Sequence, residues 1–269
     1  MLGSLKNMTE EKTPVSVVVL AKNEEKNIGD CLASVQWAAE IVVIDDNSTD
    51  RTVEIAKERG ARVVTRALDG DWGAQQTFAI GEASFPWIYI LDSDERVTPK
   101  LAERIRELVL ADDRSHAYCH ARLNYFWEQP LRHGGWFPDH VIRLLPREGT
   151  YASGRVHQKI CHECTEVTLP DDFYVVHYPY RDWQHYFNKF NVYTGLAARK
   201  MQESGKKAHL WDFILHPFWA SFRMYILRGG WRDGRIGFVL AAFHYFYTMA
   251  KYVRLYYLDK SNGHVGDEH

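Results

Sequence analysis

The amino-acid sequence predicts an α/β fold, in which a mostly parallel sheet is flanked by helices and followed by a C-terminal region of amphipathic helices. Between residues 15 and 110, continuous apolar runs rich in β-branched residues alternate with segments of helical periodicity. Such continuous runs are typical of strands buried on both faces of a sheet. From residue 182 onward the pattern becomes helical, aromatic and basic. We therefore expect two parts, at 1–181 and 182–269.

Four apolar runs are predicted to form the strands. They are VSVVVLA (15–21), EIVVID (40–45), ARVVT (61–65) and WIYIL (87–91). A segment of helical periodicity follows each run, and this order of elements makes neighbouring strands parallel. The sheet is therefore expected to carry helices on both faces.

The first two helices are predicted from their end signals. Asn23 is a candidate N-cap for a helix whose apolar positions recur as far as Val35. The segment NSTD (47–50) supplies cap residues for the next helix, and Gly60 ends it.

Two further helices complete the predicted alternation. The segment 73–84 has helical periodicity and is ended by Pro86. Thr98 and Pro99 then open the helix KLAERIRELVL (100–110), because threonine caps a helix and proline fits its first turn.

The sheet edge at which a ligand is expected is acidic. The first strand is followed by AKNEE rather than G-x-G-x-x-G, and no G-x-x-x-x-G-K-[ST] occurs in the sequence. Ligands of open α/β sheets bind at the carboxyl ends of the strands. The residues there are Lys22, Asn23 and Glu24 after the first strand, Asp45 and Asp46 after the second, and Asp92 to Glu95 after the fourth.

Asp92 and Asp94 form a D-x-D pattern at the end of the fourth strand. Paired carboxylates suit Mg²⁺ or Mn²⁺, which prefer oxygen ligands and share their coordination shell with substrate phosphates. The alternative is a solvated turn with a helix cap. The pattern alone does not decide between the two.

The composition is that of a globular protein without a disulfide framework. The chain has 269 residues, 46% of them hydrophobic and 25% charged, with four cysteines that are scattered along it. The polar N-terminus lacks the apolar stretch of a signal peptide, so a cytoplasmic location is expected.

The charge is unevenly distributed along the chain. Residues 1–178 carry a net charge of −8, whereas residues 179–260 carry 13 Lys+Arg and 5 Asp+Glu, a net +8. The longest uncharged stretch, 236–250, has 15 residues, whereas a membrane span needs roughly 20. Aromatic residues interleaved with Arg and Lys instead indicate helices lying at an anionic membrane surface, peripheral at the inner face of the cell membrane. The alternative is a helical subdomain packed on the sheet.

Four segments closely resemble the family 2 inverting glycosyltransferases with the GT-A fold, and they follow one another in the same order along the chain. They are VSVVVLAKNEEKNIGDCLASV (15–35), EIVVIDDNSTDRTVEIA (40–56), DGDWGAQQTFAI (69–80) and WIYILDSDERVTPKL (87–101). Three later segments, HGGWFPDHVIRLLPR (133–147), GRVHQ (154–158) and VVHYPY (175–180), resemble the lipopolysaccharide-core β-1,4-glucosyltransferase subgroup. The resemblance implies a nucleotide-diphospho-sugar transferase fold over 14–258.

The resemblance also implies roles in binding the nucleotide-sugar donor. Leu20, Lys22 and Glu24 would line the nucleotide pocket. Asp45, the first Asp of DDNS, would accept a hydrogen bond from the base. Gln75 would lie by the ribose or the diphosphate.

A metal site is implied in the same way, with Mg²⁺ or Mn²⁺ as the cofactor. Asp92 would face the ribose and the metal, and Asp94 would ligate the metal directly. His177 is either a further metal or diphosphate contact or a hydrogen-bonded core histidine. Arg143 would steady the diphosphate or an anionic acceptor, although a structural salt bridge is an equal alternative.

The general base is the point at which the sequence departs from the subgroup. His157 is followed by Gln158, where the resemblance leads us to expect His-Glu. A glutamine cannot accept the proton of an acceptor hydroxyl. Asp139 is therefore the first candidate for the catalytic base, and His157 is the second. The alternative for Asp139 is an exposed residue at a turn or strand start.

Three functions remain open from the sequence. The leading one is a metal-dependent inverting glycosyltransferase that uses a nucleotide-sugar donor, UDP-linked by resemblance, and a lipopolysaccharide-core or other lipid-linked saccharide acceptor. The second changes the acceptor to a peptide or polyprenyl phosphate. The third is a non-catalytic nucleotide-sugar-binding protein. No feature indicates a nucleic-acid partner.

Overall fold

The computed structural model describes residues 11–155, 158–180 and 182–260. The chain forms two compact units, the first comprising Met1–Arg122 and Asp139–His177, the second comprising Leu123–Pro138 and Tyr178–His269. Residues 123–138 thus belong to the same unit as the C-terminal helices. The boundary at residue 181 stays a prediction.

Four of the strands within the described ranges have at least 8 residues, and the others are shorter. The strands are β1 (Thr13–Ala21), β2 (Ala38–Asp45), β3 (Arg62–Thr65), β4 (Trp87–Asp92), β5 (Glu95–Val97), β6 (His116–Phe126), β7 (Gln129–Pro130), β8 (Asp139–Pro146), β9 (Tyr151–Ser153), β10 (Lys159–Cys161), β11 (Thr165–Thr168) and β12 (Tyr174–His177).

Within the described ranges, four α-helices lie in the first unit and three in the second, and the two longest belong to the second unit. The helices are α1 (Ile28–Ala33), α2 (Thr52–Glu58), α3 (Trp72–Gly81), α4 (Pro99–Ala111), α5 (Trp183–Glu203), α6 (Asp212–Phe222) and α7 (Gly234–Lys260). A π-helical segment, Arg223–Leu227, continues α6, and a 3-10 turn, Gly230–Asp233, precedes α7.

The sheet of the first unit confirms the predicted fold class. Its strand order is β3-β2-β1-β4-β8-β6-β12-β5. The four predicted strands, β1 to β4, are parallel to one another, whereas β8 runs antiparallel to both β4 and β6. In register, Leu20 of β1 lies opposite Asp92 and Ala21 lies opposite Asp45. The carboxyl ends of β1, β2 and β4 therefore meet at one edge.

The continuous apolar runs are explained by burial on both faces of the sheet. In β1, Val17 and Val19 join a core cluster that contains Leu32 of α1, whereas Val18 joins a second cluster that contains Ala79 of α3. Successive strand residues point to opposite faces. Nearly every position of such a strand is therefore apolar, and the buried Ser16 is accommodated because its hydroxyl donates to Glu40.

One of the predicted helix caps is wrong. Asn23 does not cap the first helix, which begins later, at Ile28. Asn23 instead has a φ of 52°, and its side-chain oxygen accepts a bond from the Thr49 N–H at 2.8 Å. Asparagine tolerates this left-handed conformation better than most residues. The predicted ends at Gly60, with a φ of 78°, and at Thr98, which accepts a bond from the first turn of α4, are confirmed.

The second unit is built from α5, α6 and α7, with α7 packed against both of the others. An aromatic cluster formed by Phe126, Tyr186 and Phe243 lies in one of its two cores. Among the residues that the structure describes, no helix is long and apolar enough to cross a membrane.

Helix α3 offers a test of how closely its first turn packs. A Cβ at Gly73 would lie 2.9 Å from the carbonyl oxygen of Gly154, in contact with backbone that cannot rotate away. We expect Gly73→Ala to lower the free energy of unfolding by about 1–3 kcal/mol. In the same helix, nothing lies within 4 Å of a Cβ at Gly81. Gly81→Ala should therefore raise stability by up to about 1 kcal/mol. Urea unfolding followed by circular dichroism checks both, and equal effects would contradict the close contact.

Candidate active site

The carboxyl edge of β1 and β2 contains a buried carboxylate with one unused oxygen. Asp45 ends β2 and is only 2% exposed. Its Oδ2 accepts a bond from the Ser48 N–H at 3.1 Å, whereas its Oδ1 has no hydrogen-bond partner among the described residues. A buried acceptor without a partner costs about 1–3 kcal/mol. Asp45 is therefore suited to accept a bond from a donor group of a ligand.

The other predicted nucleotide-pocket residues lie near this edge. Lys22 donates from Nζ to Asp46 at 2.8 Å, and Leu20 at the end of β1 is half-buried. The carboxylate of Glu24 accepts a bond from the side-chain amide of Asn27 at 2.8 Å. Leu20, Lys22 and Glu24 thus lie at or just after the carboxyl end of β1.

Gln75 is buried and held in place by Arg66. Its amide nitrogen donates to the Arg66 carbonyl oxygen at 2.8 Å, and its amide oxygen accepts a bond from the Arg66 guanidinium. The Arg66 N–H donates in turn to the Asp45 carbonyl oxygen at 2.9 Å. Gln75 therefore positions an arginine beside Asp45, and its own contact with a ribose or diphosphate stays a prediction.

A network of two arginines and three carboxylates lies at the end of β4. Arg143 of β8 donates to both Asp92 and Glu95, the latter at 2.8 Å. Arg122 of β6 donates to Oδ2 of Asp139 at 2.9 and 2.7 Å. Its Nη1 also lies 3.7 Å from Glu95 and 3.9 Å from Asp92. Arg143 and Glu95 are buried, so this network is shielded from solvent on one side.

Burial and charge act in opposite directions on the acids of this network. Burial alone would raise the pKa of Asp92, but the charge and hydrogen bonds of Arg143 outweigh it and hold that pKa below its ordinary value. For Glu95 burial dominates and, with the nearby charge of Asp92, raises the pKa despite Arg143. Burial also opposes the charge of Arg143, but Asp92 and Glu95 raise its pKa, so it stays protonated.

The two acids of the D-x-D pattern have different partners. Asp92 is engaged by Arg143, whereas Asp94 lies 3.5 Å from Nε2 of His177. Within the described part of the chain, no group of three or more His, Cys, Asp or Glu side chains is arranged to hold a metal. Mg²⁺ in nucleotide sites needs only one or two protein carboxylates, because substrate phosphates complete its shell. Asp94 and His177 fit such a shared site, and Asp92 fits it only if it leaves Arg143.

Of the two candidates for the catalytic base, the structure describes only Asp139. Asp139 begins β8 directly opposite Arg122 in the sheet register. Both bonds from Arg122 reach the same carboxylate oxygen, Oδ2. His157 lies outside the described residues.

The sequence analysis gave no role to Arg66, Arg122 or Glu95. Arg66 directly follows a strand at the ligand edge, which is a usable signal. Arg122 is a charged residue between buried neighbours in β6, and such a residue indicates an ion pair. Glu95 belongs to the acidic run after β4, but the sequence does not show that it is fully buried.

The chain resembles known proteins over most of its length. The family model of Glycosyl transferase family 2 matches residues 16–167. The lipopolysaccharide core biosynthesis glycosyltransferase LpsC of Rhizobium meliloti (strain 1021) is 31% identical over 262 residues, which cover 89% of this chain and 92% of that protein. The uncharacterized glycosyltransferase RT0209 of Rickettsia typhi (strain ATCC VR-144 / Wilmington) is 26% identical over 88% of this chain and 86% of that protein.

The similarity to solved structures is partial. A crystal structure of glucosyl-3-phosphoglycerate synthase from Mycobacterium tuberculosis, in complex with Mn²⁺, uridine diphosphate and glucosyl-3-phosphoglycerate, covers 42% of this chain and 45% of that one. The TM-score is 0.36 and the identity 23%. A similarity of this extent supports no conclusion about ligands.

The fold is an α/β sheet whose parallel strands end at an acidic edge. The chain belongs to glycosyl transferase family 2, because the family model matches more than half of it. It is a glycosyltransferase. Its predicted resemblance to glycosyltransferases of lipopolysaccharide-core biosynthesis is confirmed by the similarity to LpsC along nearly the whole chain.

The buried ion network predicts a pH-dependent loss of stability on removal of Arg143. In Arg143→Gln, Asp92 and Glu95 lose their main partner, so the free energy of unfolding at neutral pH should fall by about 3–5 kcal/mol. Without its cationic partner, the buried Glu95 binds a proton more readily than it does in the unfolded chain. The deficit should therefore shrink as the pH falls towards about 4.

Two further variants make this test specific. Glu95→Gln added to Arg143→Gln should recover part of the loss, because it removes one of the unpaired buried acids. Arg147→Gln is the control, since Arg147 is exposed and donates to the Ala83 carbonyl oxygen. Urea unfolding over a pH series checks the prediction, and wild-type stability of Arg143→Gln at neutral pH would contradict it.

Proposed function

We propose that the protein is a metal-dependent inverting glycosyltransferase that moves a sugar from a UDP-sugar donor to a lipopolysaccharide-core or other lipid-linked saccharide acceptor. The observation that carries the proposal is the 31% identity to LpsC over 89% of the chain, since that relative acts in lipopolysaccharide core biosynthesis. The geometry of the ligand edge supports it.

The donor nucleotide is assigned to the edge formed by β1 and β2. The unused Oδ1 of the buried Asp45 would accept a hydrogen bond from the base, which removes the cost of leaving that oxygen without a partner. Leu20, Lys22 and Glu24 would line this pocket. Arg66, held by Gln75, would place positive charge near the donor phosphates.

The divalent cation is assigned to Asp94 and His177, which lie 3.5 Å apart. When bound there with the donor diphosphate, Mg²⁺ or Mn²⁺ would neutralise charge on the leaving group. Arg143 supports the same end, because it is buried, stays charged and contacts Asp92. The metal would therefore be held by the carboxylate of Asp94, and the diphosphate would lie near the guanidinium of Arg143.

The transfer itself requires a base on the side of the sugar opposite the diphosphate. Asp139 would take the proton of the acceptor hydroxyl as that oxygen bonds to the sugar carbon, while the bond from that carbon to the diphosphate oxygen breaks. Attack opposite the leaving group inverts the configuration at that carbon. Arg122 would fix the orientation of Asp139 by binding one of its oxygens.

The second unit is assigned to a membrane surface. Its helices expose large apolar side chains, among them Trp211 at 72% and Phe218 at 63%. Residues 179–260 also carry a net charge of +8. Exposed apolar and aromatic residues combined with positive charge favour peripheral binding to an anionic bilayer. We therefore assign the protein to the cytoplasmic side of the membrane, where a lipid-linked acceptor would be within reach.

The metal assignment predicts loss of transfer without loss of folding. Asp94→Asn should lower kcat/KM at least about 10²-fold, because removing a metal that neutralises a leaving group costs several kcal/mol of transition-state stabilisation. EDTA should inactivate the wild type, and Mn²⁺ or Mg²⁺ should restore it. Release of UDP from UDP-glucose and other UDP-sugars gives the rate. Asp172→Asn is the matched control, since Asp172 pairs with Lys100 on the surface. Full activity in EDTA would reject metal dependence.

The base assignment predicts a defect in kcat alone. Asp139→Asn should lower kcat by about 10²-fold or more, because the asparagine amide cannot accept the proton. Donor affinity, measured by calorimetry with UDP, should stay nearly unchanged. Wild-type turnover of Asp139→Asn together with an inactive His157→Ala would assign the base to His157. Wild-type turnover of both variants would exclude both residues.

A further inference from the structure

The second unit contains a cavity of about 420 Å³ with a cationic lining. Arg223 and Arg228 come from the segment after α6, and His244 and Lys251 come from α7. These four residues are called the basic pocket. Among the described residues that line it there is no Asp or Glu.

Two acids of this unit pair with histidines rather than with the arginines or the lysine of the basic pocket. Asp212 pairs with His216 at 3.1 Å, and Asp233 pairs with His133 at 2.7 Å. Within the described ranges, no carboxylate forms an ion pair with Arg223, Arg228 or Lys251.

The like charges of the basic pocket disfavour one another. Partial burial lowers the pKa of His244, and the charges of Lys251, Arg228 and Arg223 lower it further. Burial, together with Lys206, also lowers the pKa of Lys251. Cationic groups that converge on one cavity without an anion repel one another, and an anionic ligand would relieve that repulsion.

The walls of the basic pocket hold its side chains close together. The ring of His216 stacks on that of Tyr252 with their centroids 4.6 Å apart. The Gly134 N–H donates to the Arg228 carbonyl oxygen at 2.9 Å. A Cβ at Gly135 would collide with the Arg228 guanidinium, so that guanidinium lies directly against the glycine backbone. The cavity is therefore a formed site rather than a set of separate surface residues.

We propose that the basic pocket binds the phosphate group of an anionic lipid. Two guanidinium groups can each donate two hydrogen bonds to phosphate oxygens, and a lysine adds a compact charge. This combination fits a tetrahedral anion with several oxygens.

The surroundings favour a phosphate that is carried by a lipid. The opposite face of α6 exposes Phe218 and Phe222, which line an apolar groove of about 380 Å³ together with Phe238 and Phe246. Trp219 lies at the basic pocket and is 54% exposed. A free phosphate would need the cationic groups alone, whereas a lipid would also contact Trp219 and other exposed apolar side chains of the same helix.

The test measures binding of the full chain to vesicles, without donor or acceptor, so it does not depend on glycosyl transfer. The probes are vesicles of phosphatidylcholine with and without phosphatidic acid, and inorganic phosphate as a competitor. The variant of the basic pocket is Arg228→Gln with Lys251→Gln. The control, Arg232→Gln with Arg235→Gln, removes the same charge from exposed positions outside the lining.

We expect the pocket variant to raise the apparent Kd for phosphatidic acid vesicles at least about tenfold, because it removes two of the cationic groups that would donate hydrogen bonds to the phosphate. The control should change it less than about twofold. Thermal unfolding shows whether both variants are folded, and Arg223→Gln replaces the pocket variant if that one is not.

Three outcomes would overturn the proposal. An equal loss of affinity for phosphatidic acid vesicles in both double variants would mean that the protein is attracted by its overall surface charge rather than by a pocket. Equal binding to vesicles with and without phosphatidic acid would exclude recognition of phosphate. If inorganic phosphate binds as tightly as the vesicles and displaces the protein from them completely, the ligand is free phosphate and the lipid source is wrong.

Discussion

The arrangement of the ligand edge depends on one buried guanidinium. Arg143 reaches from β8 to Asp92 at the end of β4 and to Glu95 in β5, and it is only 8% exposed. A buried charge without partners is costly, and removal of one partner from a buried pair costs several kcal/mol. The antiparallel strand β8 therefore has to keep its register against β4. The acidic turn after β4 is fixed in the same way, because Arg143 needs both Asp92 and Glu95 as partners.

This constraint gives the two acids of the D-x-D pattern separate tasks. Asp92 is held by Arg143 and is kept ionised by it, whereas Asp94 lies beside His177. A divalent cation that bound both acids would compete with Arg143 for Asp92. A cation bound through Asp94 and a diphosphate would leave the buried pair intact. The second arrangement preserves stability during turnover, which is why Asp94 is the stronger candidate ligand.

The sequence predicts the parallel half of the sheet well because that half depends on local signals. Apolar runs, the helix end at Gly60 and the helix cap at Thr98 each depend on residues that are close together in the sequence. The position of the ligand edge then follows from the order of the strands. The pairing of Arg122 with Asp139 is not local, since it needs the register of β6 against β8. Asn23 illustrates the same limit, because its contact with Thr49 comes from the loop after another strand and outweighs its capping propensity.

The local balance of charge supports a cation more directly than the D-x-D pattern does. Two guanidinium groups, from Arg122 and Arg143, face the carboxylates of Asp92, Glu95 and Asp139, with Asp94 close by in the chain. The acids outnumber the arginines even when Glu95, whose pKa burial raises, is left out. A donor diphosphate would add further negative charge to this edge. Like charges at such short range repel strongly when water is partly excluded. This charge balance supports the proposed divalent cation, which would add compact positive charge beside a bound diphosphate.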